Sequence, residues 1–204
     1  MTDILSLDEG YSTTRLLTQE KPQIINTPED KFETVLFLPE GENRKGEGGL
    51  RTKGYFKKSF DDKPLISIIT VVFNGEKYLE ETIQSVINQT YSNVEYIIID
   101  GGSSDGTLDI IKKYEDKIDY WVSEKDEGIS DGFNKGIKPS KGKILGIINS
   151  DEKNKKNIFE TISDIFKEKD IDYSYGDMIL EDKEGNIIQE IKPDLKSKSI
   201  YGGM

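Results

Sequence analysis

The stretch LISIITVVF, residues 65–73, decides the fold of this 204-residue chain. It is an almost continuous run of β-branched and large apolar residues, which is typical of a strand buried on both faces. Three further strands are predicted from similar runs, VEYIII (94–99), IDYWV (118–122) and ILGII (144–148). Helical spacing of apolar residues separates them, first at Leu79, Ile83, Val86 and Ile87. Strictly alternating strands and helices predict an α/β fold with a mostly parallel sheet and helices on both faces.

The segments on either side of this alternation are less regular. Residues 1–62 are interpreted as a partly irregular N-terminal extension, with one strand predicted at Thr34–Leu38, and residues 63–204 as the main domain. Glu40–Lys58 is rich in glycine and basic residues, so it is either a solvated loop or a basic arm that reaches an anionic ligand or a neighbouring subunit. Beyond residue 157, a helix, a strand at Ile171–Tyr175 and a hairpin around residues 183–185 are predicted.

Composition excludes several classes of chemistry. The chain has no cysteine and no histidine, so disulfides, thiolate or imidazole metal sites and Ser-His-Asp catalysis are ruled out. Its formal net charge of −11 argues against a protein that binds nucleic acid over its whole surface. No apolar run is long enough for a bilayer span, and the first ten residues lack the features of a secretory signal, so we expect a cytoplasmic protein.

A short segment that contains polar residues follows each predicted strand. The four segments are Phe73-Asn74-Gly75, Asp100-Gly101-Gly102-Ser103, Ser123-Glu124-Lys125-Asp126 and Asn149-Ser150-Asp151-Glu152. Because ligands of open α/β sheets bind at the carboxyl ends of the strands, these residues predict a site for a nucleotide and a cation. The glycine-rich stretch 101–107 has no lysine for phosphates, and no dinucleotide motif follows the first strand, so ATP hydrolysis and NAD chemistry are not expected.

Four of these motifs, in this order, resemble family 2 glycosyltransferases. The resemblance is carried by residues 65–74, by YIIIDGGSSDGT (96–107), by SEKDEGISDGFNKG (123–136) and by INSDE (148–152). It spans about residues 63–180, roughly the donor-binding half of such an enzyme. The stretch Glu40–Lys58 is also similar to the lead-in of bacterial members that build surface polysaccharides. The resemblance implies the GT-A fold and transfer of a sugar from a nucleotide-diphosphate donor, a UDP- or dTDP-sugar, to a glycan or lipid-linked acceptor.

The resemblance also implies roles for individual residues. Asp151 matches the metal-binding acidic motif, and Glu152 stands where a second Asp is usual, so both are expected to hold Mg²⁺ or Mn²⁺. Asp100 is expected to accept a hydrogen bond from a pyrimidine base, and Phe73 to stack on that base. The remaining donor contacts are expected from Val71, Asn74, Asp131, Asn134 and Ser150. Residue chemistry alone leaves alternatives: Asp100 as a turn former, Phe73 as core, and the polar pair on the third helix as plain surface.

A catalytic base is not identified in the sequence. In this family the base lies well beyond the metal motif, so we expect it after Met204 and expect this chain to be truncated. Two functions are therefore considered. One is an inverting, metal-assisted hexosyltransferase of cell-surface polysaccharide biosynthesis, and the other is a truncated, catalytically weak or inactive remnant that binds a nucleotide-sugar. Peripheral association with the inner face of the membrane is compatible with both, and the oligomeric state is left open.

Overall fold

The computed structural model describes residues 3–29, 33–41, 43–169, 171–174, 176–182 and 186–192. The chain divides into two compact units, residues 1–164 and 165–204. The strands are β1 (Leu17–Thr18), β2 (Gly46–Gly48), β3 (Phe56–Lys57), β4 (Ile66–Val72), β5 (Val94–Asp100), β6 (Tyr120–Ser123), β7 (Ile144–Ile147), β8 (Met178–Glu181) and β9 (Ile187–Ile191). The helices are α1 (Leu79–Ile87), α2 (Thr107–Lys113), α3 (Ile129–Ile137) and α4 (Ile158–Glu168).

The first unit is built on a five-stranded sheet with the order β2-β6-β5-β4-β7. Strands β4 to β7 are parallel, and β2 pairs antiparallel with β6 at one edge. The chain adds β5 and β6 on one side of β4 and then crosses to place β7 on the other side. The direction of winding therefore reverses at β4, where α/β sheets bind ligands. The predicted α/β fold with a mostly parallel sheet is confirmed.

The core lies on both faces of the two central strands. All seven residues of β5 are buried, as the continuous apolar pattern predicts. On one face Ile97 and Ile99 pack with Tyr120, Val122 and Leu38. The predicted apolar stripe of α1 is confirmed, since Leu79, Ile83, Val86 and Ile87 are all buried. Each such side chain contributes about 1.5–3 kcal/mol of hydrophobic stabilisation, which anchors the strands whose ends form the site.

The strand predicted at Thr34–Leu38 is wrong. These residues run as irregular backbone. The Leu38 N–H donates to the Tyr120 hydroxyl, 2.9 Å away, and the Val35 N–H donates to the Lys138 carbonyl. The apolar side chains of Leu36 and Leu38 are buried as a strand would bury them. Leu38 packs on one face of the central sheet, against side chains of β5 and β6, and a sheet offers free backbone groups for pairing at its edges and not on its faces.

The glycine-rich stretch contributes this edge strand, which its composition did not predict. Gly46 and Gly48 of β2 cross the indole ring of Trp121 on β6, and a Cβ atom added to Gly48 would lie 2.7 Å from the indole nitrogen. Glycine is therefore the residue that lets the backbone approach the ring, and the same feature that suggested a loop permits a strand.

Two basic residues of this stretch are buried, so neither interpretation of Glu40–Lys58 holds for them. Arg51 forms an ion pair with Glu95, with 2.6 Å between Nη2 and Oε1, and both side chains are buried. The Lys57 ammonium donates to the Arg15 carbonyl. Both charges are therefore buried within the protein. Arg51 joins the N-terminal segment to the start of β5, and Lys57 joins two parts of that segment.

The second unit contains the predicted hairpin. Strands β8 and β9 pair antiparallel, which confirms the prediction, while the turn at residues 183–185 lies outside the described residues. The strand predicted at Ile171–Tyr175 is wrong for residues 171–174, which form no strand, and Tyr175 lies outside the described residues. Across the described part of the chain, every helix is too short or too polar to cross a membrane.

Candidate functional site

The loops that follow β4 and β5 are locked together by hydrogen bonds. Asn74, directly after β4, has a positive φ of 52°, a conformation that asparagine tolerates better than most residues. Its N–H donates to the Ser103 hydroxyl at 2.7 Å, and its side-chain oxygen accepts from the Ser104 N–H at 2.9 Å. The Gly75 N–H donates to the Thr107 hydroxyl at 2.8 Å. The two strand ends therefore present one continuous, ordered surface.

Asp100 lies beneath this surface and is completely buried. Its carboxylate accepts from the Ser103 N–H at 3.2 Å, from the Ser103 hydroxyl, and from the Ser123 hydroxyl at 2.5 Å. These bonds join the ends of β5 and β6. The structure thus gives Asp100 a loop-shaping arrangement, and its predicted contact with a base stays a prediction that requires this network to open.

Phe73 is the exposed aromatic residue at the end of β4, with 66% of its surface accessible. Its interpretation as a core residue is therefore wrong. The ring is exposed at the edge where α/β sheets bind ligands, and it offers a face on which a base can stack. Val71, two residues earlier, is half-buried against α3, where a Cβ atom on Gly132 would lie 2.5 Å from a Val71 methyl group.

Asp131 and Asn134 on α3 line a cleft of about 500 Å³. Asp131 is half-buried, accepts from the Glu127 N–H at 3.2 Å, and lies 3.4 Å from the Lys135 ammonium; Asn134 is exposed. The opposite wall comes from residues 38–41 of the N-terminal segment. Asp131 and Asn134 therefore line the same cleft, as predicted for two donor-binding residues. The cleft also includes residues 38–41, for which we predicted no site.

Glu124 is a residue of this cleft to which we gave no role from sequence. Its side chain is nearly buried, and it pairs with Arg44 at 2.8 Å and with Lys135 at 2.9 Å. Burial opposes the charged form of Arg44, but the hydrogen bond and charge of Glu124 outweigh it, so the pKa of Arg44 is raised. The pKa of Lys135 is raised by the same balance. The position of Glu124 directly after a predicted strand was the one feature of the sequence that could have marked it as a site residue. Its two partners lie 80 and 11 residues away in sequence, so the pairing itself was not predictable.

The end of β7 carries the predicted metal-binding residues beside β4. Ser150 is half-buried, its carbonyl accepts from the Thr82 hydroxyl at 2.9 Å, and its own hydroxyl would lie 3.7 Å from a Cβ atom on Gly75. Asp151 is exposed. The Glu152 carboxylate accepts from the N–H and the side-chain amide of Asn149, at 3.2 and 2.8 Å. Ser150 therefore adjoins the loop after β4, and Asp151 is the carboxylate left open to solvent.

The carboxylates at this edge fit a hard cation only in combination with a ligand. The described residues contain no group of three or more acidic side chains that could hold a metal ion by themselves. Mg²⁺ is commonly bound by one or two carboxylates, with phosphate oxygens and water completing its coordination. Asp151 and Glu152 supply oxygen donors of the right kind and in that number.

Comparison with known proteins agrees with these features. Residues 67–199 match the model of glycosyl transferase family 2. The putative teichuronic acid biosynthesis glycosyltransferase TuaG of Bacillus subtilis is 34% identical over 127 residues, covering 60% of this chain and 50% of that protein. Glycosyltransferase GlyG of Streptococcus pneumoniae is 32% identical over 126 residues, covering 60% and 42%.

Solved structures give a weaker likeness. The crystal structure of S. aureus TarS 1–349 in complex with UDP-GlcNAc is 25% identical, covers 51% of this chain and 31% of that chain, and has a TM-score of 0.47. The chain spans half or less of the length of TuaG and GlyG. The family model, in contrast, covers well over half of this chain, including all four strand ends described above. The chain belongs to glycosyl transferase family 2.

Proposed function

We propose that this chain binds a nucleotide-diphosphate sugar at the carboxyl edge of its sheet and serves sugar transfer to a glycan or lipid-linked acceptor. The proposal rests on one observation, that an exposed aromatic ring and an exposed carboxylate lie at the ends of neighbouring strands. Phe73 follows β4 and Asp151 follows β7, and these strands are hydrogen-bonded neighbours at the point where the winding of the sheet reverses. Such a point is where nucleotides bind in α/β sheets.

The proposal assigns the nucleoside to the β4 and α3 side of the edge. Phe73 stacks on the base, since every base offers a π-face to an aromatic ring. Val71, Asn74 and Ser150 border the same surface, while Asp131 and Asn134 face the neighbouring cleft with groups able to bond hydroxyls. A pyrimidine donor, UDP- or dTDP-linked, is the proposed class. It rests on a base contact from Asp100, which requires the bonds of Asp100 to Ser103 and Ser123 to open, because stacking alone does not distinguish bases.

The diphosphate belongs, in this proposal, to the β7 side. Asp151 and Glu152 would hold Mg²⁺ or Mn²⁺, and a bound cation neutralises the negative charge that grows on the departing diphosphate. Asn149 orients the Glu152 carboxylate through two hydrogen bonds. Glu152 is one methylene longer than Asp, so its orientation depends on this support more than that of Asp151 does.

The transfer step is proposed to invert the anomeric carbon. The acceptor hydroxyl oxygen bonds to that carbon, the bond from carbon to the diphosphate oxygen breaks, and a base takes the hydroxyl proton. We assign no base among the described residues. Surface-polysaccharide biosynthesis is the proposed context, supported by the name of the TuaG relative, and a cytoplasmic location at the inner face of the membrane would suit it.

The experiment is a calorimetric titration of the purified chain with UDP, dTDP, GDP and ADP, each with and without Mn²⁺. We expect the pyrimidine nucleotides to bind more tightly than the purine ones and Mn²⁺ to strengthen binding. Absence of binding for all four would refute the proposal. Release of UDP from UDP-sugars, measured in parallel, separates a working transferase from a protein that binds the donor without turnover.

A further inference from the structure

Two adjacent basic residues of the N-terminal segment, Arg44 and Lys45, reach the loops after β5 and β6. The Lys45 ammonium donates to the carbonyl oxygens of Gly102 and Ser103, each 2.8 Å away. The Lys45 backbone N–H donates to the Ser123 carbonyl at 2.7 Å, continuing the pairing of β2 with β6. One residue therefore bridges the end of β6 and the loop after β5.

The carbonyls that Lys45 bonds belong to the peptide units that shape the site. Gly102 has a φ of 83°, a conformation that glycine adopts without steric strain and that turns the chain between β5 and Ser103. Ser103 in turn bonds Asn74 through its hydroxyl, which joins the loop to the end of β4. Hydrogen bonds from a charged donor are about twice as strong as neutral ones. Lys45 thus holds the direction of two carbonyls on which the position of Asn74 depends.

Arg44 acts on the other loop. Its guanidinium contacts the nearly buried Glu124 carboxylate through two nitrogens, at 2.8 and 2.9 Å. The second Glu124 oxygen lies 2.9 Å from the Lys135 ammonium, which also lies 3.4 Å from Asp131. A chain of alternating charges therefore runs from the N-terminal segment to α3, and it ends on a residue of the cleft.

We propose that Arg44 and Lys45 are positioning residues of the donor site, which hold residues 101–103 and 124–131 in the conformation that binds the donor. The inference rests on the proposed function and adds to it a segment outside the family match at residues 67–199. Neither side chain needs to touch the donor for this role. It requires only that the loops lose their geometry when the basic groups are removed.

The test compares Lys45→Met with Lys45→Arg, which keeps a charged donor. Lys53→Met is the matched control, since Lys53 pairs with Glu115 on the surface at 3.0 Å within the same segment. We expect UDP affinity in the presence of Mn²⁺ to fall at least about tenfold in Lys45→Met, because the variant loses two charge-assisted hydrogen bonds and one such bond corresponds to about a tenfold change. Lys45→Arg should recover most of it, and Lys53→Met should not change it. Unchanged affinity in Lys45→Met would overturn the inference.

Hydrogen exchange gives a second measurement that does not depend on nucleotide. In Lys45→Met the amides of Asn74 and Ser104 should lose about tenfold in protection, while those of Ile97–Ile99 in β5 stay protected. Unchanged protection at the first two, or an equal loss in β5, would overturn the inference, because the residue would then be inert or merely stabilising. If the wild-type chain binds no nucleotide, it is the proposed function that fails, and the two failures are distinguishable.

Discussion

Replacing Arg51 by methionine should greatly lower the free energy of unfolding of this protein. Arg51 and Glu95 are 3% and 2% exposed, and their ion pair is 2.6 Å long. The Arg51 guanidinium also donates to the carbonyls of Leu36 at 2.8 Å and Pro139 at 3.0 Å. The variant would leave the Glu95 carboxylate buried without its cation, although the Ser67 hydroxyl and the Lys141 N–H would still donate to it.

The magnitude follows from this burial. Removing one partner of a buried ion pair costs about 3–5 kcal/mol, because the remaining charge is left uncompensated. Replacing both partners with apolar residues removes the uncompensated charge, so the double variant Arg51→Met/Glu95→Met should recover part of that loss. The rest remains because the carbonyls and donors that bonded the pair lose their partners. Lys53→Met, which breaks an exposed pair, should cost less than about 1 kcal/mol.

The assay is urea unfolding followed by the fluorescence of Trp121. It is the single tryptophan of the chain, it is 2% exposed, and β2 of the N-terminal segment covers it. A loss below about 1 kcal/mol in Arg51→Met, or a double variant no more stable than the single one, would refute the reasoning. The first result would mean that this pair does not hold the N-terminal segment to the sheet, and the second that the uncompensated Glu95 charge is not the cause of the loss.

Two further predictions concern the base-binding ring and a buried carboxylate. Phe73→Ala should weaken UDP binding by about 1–3 kcal/mol, which is the contribution of a base stacked on an aromatic ring. Because the ring is exposed, the unfolding temperature should not fall. Ile25→Ala, at another exposed apolar residue, is the control, and unchanged affinity in Phe73→Ala would contradict the stacking role. Burial raises the pKa of Asp119 from 3.8 to about 7. Between about pH 4 and 7 the folded protein keeps a proton on Asp119 that the unfolded chain has released. The unfolding free energy of wild type should therefore fall relative to that of Asp119→Asn as pH rises through this range. A difference in unfolding free energy that does not change with pH would rule this out.

The central sheet was predictable from sequence because its strands are buried on both faces. Continuous apolar runs such as residues 65–73 have no other stable placement in a chain with alternating helices. Position after a strand was also enough to select residues such as Asp151 and Phe73, since strand ends of a parallel sheet share one edge. These predictions rest on local pattern and on topology alone.

What could not be predicted depends on partners far apart in sequence. Strand β2 exists because Gly46 and Gly48 fit over Trp121, a contact that no local pattern encodes. The burial of Asp100 depends on Ser123, 23 residues away, and the role of Glu124 depends on Arg44, 80 residues away. Residues 34–38 have a strand-like sequence, yet they cover one face of the central sheet, where Leu38 packs on Tyr120 and Val122. Local propensity was overridden there by packing on a face that has no backbone groups free for pairing.

The most direct test of the account is the Mn²⁺ dependence of UDP affinity in wild type and in Asp151→Asn. Asparagine keeps the size of the side chain and removes its charge, and Asp151 is exposed, so the fold should be unaffected. The account predicts that Mn²⁺ strengthens UDP binding to wild type and that Asp151→Asn loses most of this gain while its affinity without metal stays the same. An equal gain from Mn²⁺ in both proteins would contradict the claim that this edge of the sheet holds a diphosphate through a cation.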